Sequence, residues 1–314
     1  MECRQPAGAV PLWELEFHLW DEFSGGHVVL GREFEQLSQV ERETALRTNA
    51  EIILSVSAEL GYAAVDTPGG YWEVAPGQLA YYVLPGETRW EQIRVMREIA
   101  PPELMLVAGS GGIISPPSGA NYAEFAYLLY DDPDRVEQYA EDALAGAIET
   151  GKKLRDHGIE IAVCAADIAD NHGPYFTPPQ MERFILPYLA KWGEAMRALG
   201  LYSVLHTDGQ VTPILDQIAD TGISAIQALD PIAGVDIVEA KRIAGGRLCL
   251  CGNIDCGLLH FGPVEKIAEV TRRTLEACKP GGGFVLGASN AVFRETPPEH
   301  YRAMVRAWRE HGSY

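Results

Sequence analysis

The 314-residue chain carries 44 acidic against 25 basic side chains, a formal net charge of −19, with no Lys/Arg-rich stripe interrupting the excess. That field repels polyanions and anionic lipid surfaces, which excludes nucleic acid and membranes as expected partners. With 47% hydrophobic residues, only six cysteines, no apolar run long enough to span a bilayer, and acidic residues from Glu2 onward where a signal peptide would be apolar, a folded protein of the reducing cytoplasm is expected.

Taken in chain order, residues 1–26 form an atypical N-terminal extension. Short apolar or β-branched runs then predict strands at 27–31, 62–66, 104–109, 159–167, 201–206, 223–229, 247–253 and 283–289. Between them, apolar residues spaced at threes and fours predict helices over roughly 33–60, 88–100, 120–157 in pieces, 178–199, 211–221, 235–244, 263–279 and 298–311. Eight strands with helical crossovers predict an α/β protein, a single-domain (β/α)8 TIM barrel over residues 1–314. Residues 67–90, aromatic and rich in glycine and proline, read as an ordered loop or short hairpin, and 110–120 as a second loop, both over the carboxyl-terminal face. In "TPPEHYRAMV", Thr296 and Glu299 have the spacing of a capping box opening the last helix.

The candidate functional residues lie where apolar strands end. Asp66 closes "YAAVD", and Trp72 lies in the loop that follows. In "AADIADNHGPYF" (165–176), Asp167 and His172 are candidates for acid and base work, with turn formation as the plain alternative. In "LYSVLHTDGQ", strand alternation puts His206 and Asp208 on one side, and Gly209 lets the chain turn. An imidazole and a carboxylate so placed suit metal binding, proton transfer or the orientation of a substrate heteroatom, although two ligands do not complete a zinc site. Gln227 and Asp230 end the next strand, and Asn253 the one after. Ser289 and Asn290 end the last. Cys249 and Cys251 share a strand face at a spacing too close for a zinc knuckle and read as buried thiols. Neither a phosphate-binding loop nor a dinucleotide fingerprint is present.

The stretches "GPYFTPPQMERFILPYLAKW", "LHTDGQVTPILDQIADTGISAIQALDPIAGVDIVEAKRIAGGRLCLCGNIDC" and "CKPGGGFVLGASNAVFRETPPEHYRAMVRAWREHG" resemble the uroporphyrinogen decarboxylase superfamily, which includes cobalamin-dependent methyltransferases. The resemblance spans about residues 90–312 and implies a (β/α)8 barrel with its pocket at the carboxyl ends of the strands. The zinc-dependent methyltransferases of that group hold zinc with an H-x-C-G sequence and a later cysteine. Here the first reads H-T-D-G, so Asp208 stands in place of a thiolate, and the later cysteine falls at about Asn290. The decarboxylase's M-R-Q-A-G-R sequence is absent, "DIADN" replaces its D-S-W-A-G, and its carboxyl-terminal histidine also falls at Asn290. Arg4 and Arg32 have different surroundings from its arginines.

The resemblance implies a small-molecule enzyme transferring a methyl group between a substrate and a corrinoid on a partner protein. Zinc or another divalent metal would sit on His206 and Asp208, with Asp167 or His172 managing a proton. A metal-independent decarboxylase or lyase of a small carboxylated substrate, using Asp66, Asp167 and His172, is the alternative. A barrel that has lost its chemistry and only binds a small molecule is a third. A homodimer is expected only from the frequency of cyclic assemblies.

Overall fold

The computed structural model describes residues 1–117 and 119–314. Residue 118, inside the loop expected at 110–120, lies outside the described residues. The strands are β1 (Ala64–Asp66), β2 (Gly69–Ala75), β3 (Gln78–Val83), β4 (Met105–Gly109), β5 (Ile161–Ala165), β6 (Ala169–Asp170), β7 (Gly173–Pro174), β8 (Tyr202–Thr207), β9 (Ala225–Ala228), β10 (Cys249–Ile254) and β11 (Phe284–Ala288). Seven of them form one parallel sheet in the order β1-β4-β5-β8-β9-β10-β11. Helices such as Gly86–Ile99, Pro133–Asp156, Leu186–Ala198 and Val264–Cys278 separate successive strands, and their buried faces, with that of the helix Gln39–Leu60 before β1, join an apolar core that includes Ile53, Leu154, Trp192 and Leu275. No helix among the described residues is long and apolar enough to cross a membrane.

The sheet is open and seven-stranded, which corrects the closed eight-stranded TIM barrel expected from the sequence. The missing strand is the run at 27–31. Its backbone finds side chains instead of a ladder: Asp21 Oδ1 accepts from Val28 N, Asn49 Oδ1 accepts from Val29 N, and Asn49 Nδ2 donates to Val29 O. An apolar run reads as a strand only while its amides lack other partners. The edge strands β1 and β11 do not pair with each other. Between them lies part of the extension, where Trp13 N donates to Leu286 O, Leu286 N to Pro11 O, and Ala63 N to Leu12 O. Further along, Phe17 bridges Val292, which carries residues 14–18 up the side of β11.

Two local expectations resolve differently. The segment at 67–90 holds an antiparallel hairpin, β2 against β3, with Tyr71 directly opposite Tyr81, and it runs into the helix Gly86–Ile99. The last helix begins at Pro298 without a side-chain cap, and Thr296 is buried, so the Thr296–Glu299 capping box does not form. Proline at the first helical positions supplies the helical φ and has no amide that needs an acceptor.

Candidate functional site

Register explains why the strand ends meet. Along β8 the side chains alternate, so Thr207 is buried on one face, with Oγ1 accepting from Ile168 N at 3.0 Å, while His206 and Asp208 share the other. In the parallel pairing, His206 stands beside Ala165 of β5 and Gln227 of β9. Two residues beyond Ala165, Asp167 therefore arrives next to Asp208, whose amide donates to Asp167 Oδ1 at 3.0 Å. Gly209 is demanded by close approach: its φ is +91°, and a Cβ there would lie 2.6 Å from Asp170 O.

The His206 ring is held from behind. Nδ1–H donates to Gln227 Oε1 at 2.5 Å, and Gln227 Nε2 donates to Ala288 O at 3.4 Å. That acceptor places a proton on Nδ1 and leaves Nε2, 4.0 Å from Asp167 Oδ1, to take a proton or a ligand. One ligand atom each from Asp167, His206 and Asp208 lies within 4.8 Å of the others. Asp208 Oδ2 accepts from Asn290 Nδ2 at 2.7 Å, whereas Asp208 Oδ1 is buried and has no partner among the described residues. Burial pushes the Asp208 carboxyl above its ordinary value. Nearby Asp167 and Asp230 add to that, and His206 and Asn290 oppose it. A buried acceptor without a donor costs about 1–3 kcal/mol, which a proton or a cation on this carboxylate would offset.

The cluster opens into a cavity of about 650 Å³ at the carboxyl ends of β1, β4, β5 and β8. Across from the cluster stand Asp66, Glu16 and the tyrosine pair of the hairpin. Trp13 Nε1 donates to Asp66 Oδ2 at 2.8 Å. Burial pushes the Asp66 carboxyl well above its ordinary value, Trp13 opposes the shift, and Glu16 adds to it.

Of the residues singled out in the sequence, Asp66, Asp167, His206, Asp208 and Asn290 line this cavity. Gln227 lies behind it, on His206. The others are elsewhere. His172 has a side chain that is 93% exposed, on the turn between β6 and β7, where Asp170 Oδ1 accepts from the His172 and Gly173 amides. Trp72 is buried on the far face of the hairpin under the Arg294 guanidinium, 3.9 Å from its ring centre. Asn253 is buried, donating to Leu229 O at 2.9 Å. Buried Ser289 accepts from Cys256 N, and Asp230 Oδ1 from Ile232 N. These three hold the backbone around the strand ends. Cys249 and Cys251 are buried in β10, as read from their spacing.

Sequence reasoning missed Glu16, Tyr71, Tyr81 and Arg89 as cavity residues, and Asp167 as a third ligand. The signal for Glu16 was present in "WELEFHLW", where acidic residues alternate with large apolar ones at strand period.

A sequence model of the family described as "Uroporphyrinogen decarboxylase (URO-D)" matches residues 87–311. The chain is 26% identical over 219 residues to the methylcobamide:CoM methyltransferase MtaA of Methanosarcina barkeri, covering 69% of this chain and 61% of that one. It is 27% identical over 200 residues to the uroporphyrinogen decarboxylase of Hydrogenovibrio crunogenus, covering 60% of this chain and 52% of that one. The chain thus spans 52–61% of the length of these relatives. A solved methyltransferase from Methanosarcina mazei shares the fold, with a TM-score of 0.71 at 21% identity over 97% of this chain and 95% of that one.

Proposed function

This chain belongs to the uroporphyrinogen decarboxylase family, a family of enzymes, and we propose that it is a metal-assisted methyltransferase working with a corrinoid carried on a separate protein. One observation carries the reading: three ligand groups converge at the cavity wall, and one of their buried oxygens has no donor among the described residues. Asp167, His206 and Asp208 are the residues that would hold a divalent ion, zinc or a harder one, since two carboxylates and an imidazole provide oxygen and nitrogen but no sulfur. A three-residue set leaves a coordination position open, as catalytic metal sites do.

A bound ion supplies Lewis acidity toward a substrate heteroatom. The protein's own groups do the rest. Gln227 keeps the His206 lone pair outward, and Asn290 Nδ2 holds Asp208 in place. Asp167, with its side chain 54% exposed, stands where the cavity admits both substrate and a partner. The relative named as a methylcobamide:CoM methyltransferase supports the choice of reaction.

A second reading, carbon–carbon lyase chemistry without a metal, has its own observation. Burial pushes the Asp66 carboxyl well above its ordinary range, toward the protonated form that a proton donor to a carbon losing carboxylate needs.

Metal content after chelator-free purification, compared between the wild type and His206→Ala, tests the first reading. One equivalent of a divalent ion, lost in the variant, is expected. Mixing the loaded protein with methylcobalamin and chemically varied acceptors should change the corrinoid spectrum. No ion in the wild type, with carbon dioxide release that depends on Asp66, would turn the assignment to the lyase.

A further inference from the structure

The cavity has an excess of negative charge that one metal ion does not balance. Four carboxylates line it, from Glu16, Asp66, Asp167 and Asp208, against the single guanidinium of Arg89. Arg89 Nη2 donates to Gly109 O at 2.5 Å, and no Lys or Arg pairs with any of the four among the described residues. An ion on Asp167 and Asp208 leaves Glu16 and Asp66 with no Lys or Arg against them; beside them stand the buried His18, with Nε2 3.4 Å from Glu16 Oε2, and Trp13 Nε1 on Asp66. Glu16 is held there, with its side chain 11% exposed, because Val292 N donates to Glu16 O and the segment is pinned along β11.

The same wall carries aromatic surface. Tyr71 and Tyr81 are opposite one another in the hairpin, with ring centres 5.7 Å apart and planes at 88°, and they remain half exposed although Phe17 and Trp20 beside them are buried. Two rings at right angles next to paired carboxylates offer a cation π-faces and full charges from several directions at once. An inorganic ion prefers oxygen ligands alone, and a substrate carboxylate would meet like charge. A bulky organic cation uses both the rings and the acids. A cation placed there also favours the ionised form of Asp66.

We infer that the substrate, or a part of it remote from the reacting atom, is an alkylated ammonium group held against the open faces of Tyr71 and Tyr81 and paired with Glu16 and Asp66. This rests on the reading of the cavity as a substrate site and adds the substrate's chemical class. The ammonium anchors one end of the molecule, and the other end reaches Asp167, His206 and Asp208.

Three probes of one shape and different charge test it: choline, its neutral carbon counterpart 3,3-dimethylbutan-1-ol, and the anion 3,3-dimethylbutanoate. Binding is measured by calorimetry on the wild type and on His206→Ala freed of metal. Choline is expected to bind at least tenfold tighter than the neutral alcohol in both proteins, and the anion weakest. Glu16→Gln and, on the exposed hairpin, Tyr71→Leu should each lower choline affinity at least fivefold while leaving the neutral alcohol unchanged. Equal binding of choline and the alcohol, or tightest binding of the anion, overturns the inference. Since His206→Ala removes the metal site, a choline preference surviving there stands even if the metal reading fails. Its absence from a protein that binds metal refutes the inference alone.

Discussion

Two buried carboxyls, 194 positions apart in the chain, show how differently the fold treats an acid. Glu14, in the N-terminal segment, is fully enclosed and fully partnered: Ala288 N donates to Oε2 at 2.7 Å, Tyr301 OH donates to Oε1 at 2.9 Å, and Tyr62 OH lies 2.7 Å beyond on Tyr301. Burial pushes its pKa up to about 8, against the pull of both donors. Asp208, at the end of β8, has one oxygen satisfied by Asn290 and one with no donor among the described residues. A complete set of donors marks a carboxyl that joins elements of the fold, and an incomplete set marks one that awaits a ligand.

Removing each acid should therefore move stability in opposite directions. Glu14→Ala strands the Ala288 amide and the Tyr301 hydroxyl and leaves a void, so a loss of about 3–4 kcal/mol is expected, read from the unfolding midpoint. The pH dependence follows from the same group. Between the ordinary carboxylate value and about 8, unfolded Glu14 sheds its proton while folded Glu14 keeps it. Its contribution to stability is thus fully present at acid pH, falls as pH rises through that window by at most about 1.4 kcal/mol per unit, and is flat above it. Glu14→Gln keeps an acceptor for Ala288 and turns its amide donor to the Tyr301 oxygen, whose proton can go to Tyr62 instead, and should remove that slope while folding normally. An unchanged slope would place the titration elsewhere.

Asp208→Asn should do the reverse. The amide still offers Asn290 an oxygen, and a buried charge next to Asp167 is gone, so the metal-free protein is expected to gain about 0.5–1 kcal/mol, whereas divalent-ion affinity should fall at least tenfold. A variant that loses stability would move Asp208 into the same structural class as Glu14.

The comparison also marks what could be read without coordinates. Asp167, His206 and Asp208 were legible because each sits at or just past the end of an apolar run, and parallel register then aligns neighbouring ends with no further information. Seven of the eight predicted strands fell at their ends or within a few residues of them for the same reason. The eighth, at 27–31, failed because Asp21 and Asn49 are six and eighteen residues from the ends of that run, and no local pattern shows where side-chain amides and carboxylates will come to rest. Glu14 was missed on the same ground: its partners are Ala288 and Tyr301, so its burial is a property of the assembled molecule. His172, by contrast, is a local turn residue whose polarity made it look functional.

Gln227 gives the finest test, since it is buried and partnered like Glu14 yet acts on the ligand cluster like Asp208. If its amide serves mainly to orient His206, Gln227→Leu removes the acceptor for Nδ1–H, frees the ring to turn or take the other tautomer, and weakens divalent-ion binding about tenfold. Stability should fall by about 1–3 kcal/mol, because leucine fills the site but the His206 Nδ1–H and the Ala288 carbonyl lose their partner. Gln227→Glu keeps an acceptor and adds charge behind the imidazole, which should hold metal affinity at or above the wild-type value. Metal titration and thermal unfolding on the two variants separate the roles: affinity that tracks the acceptor assigns Gln227 to the site, and stability lost with affinity intact assigns it to the scaffold with Glu14.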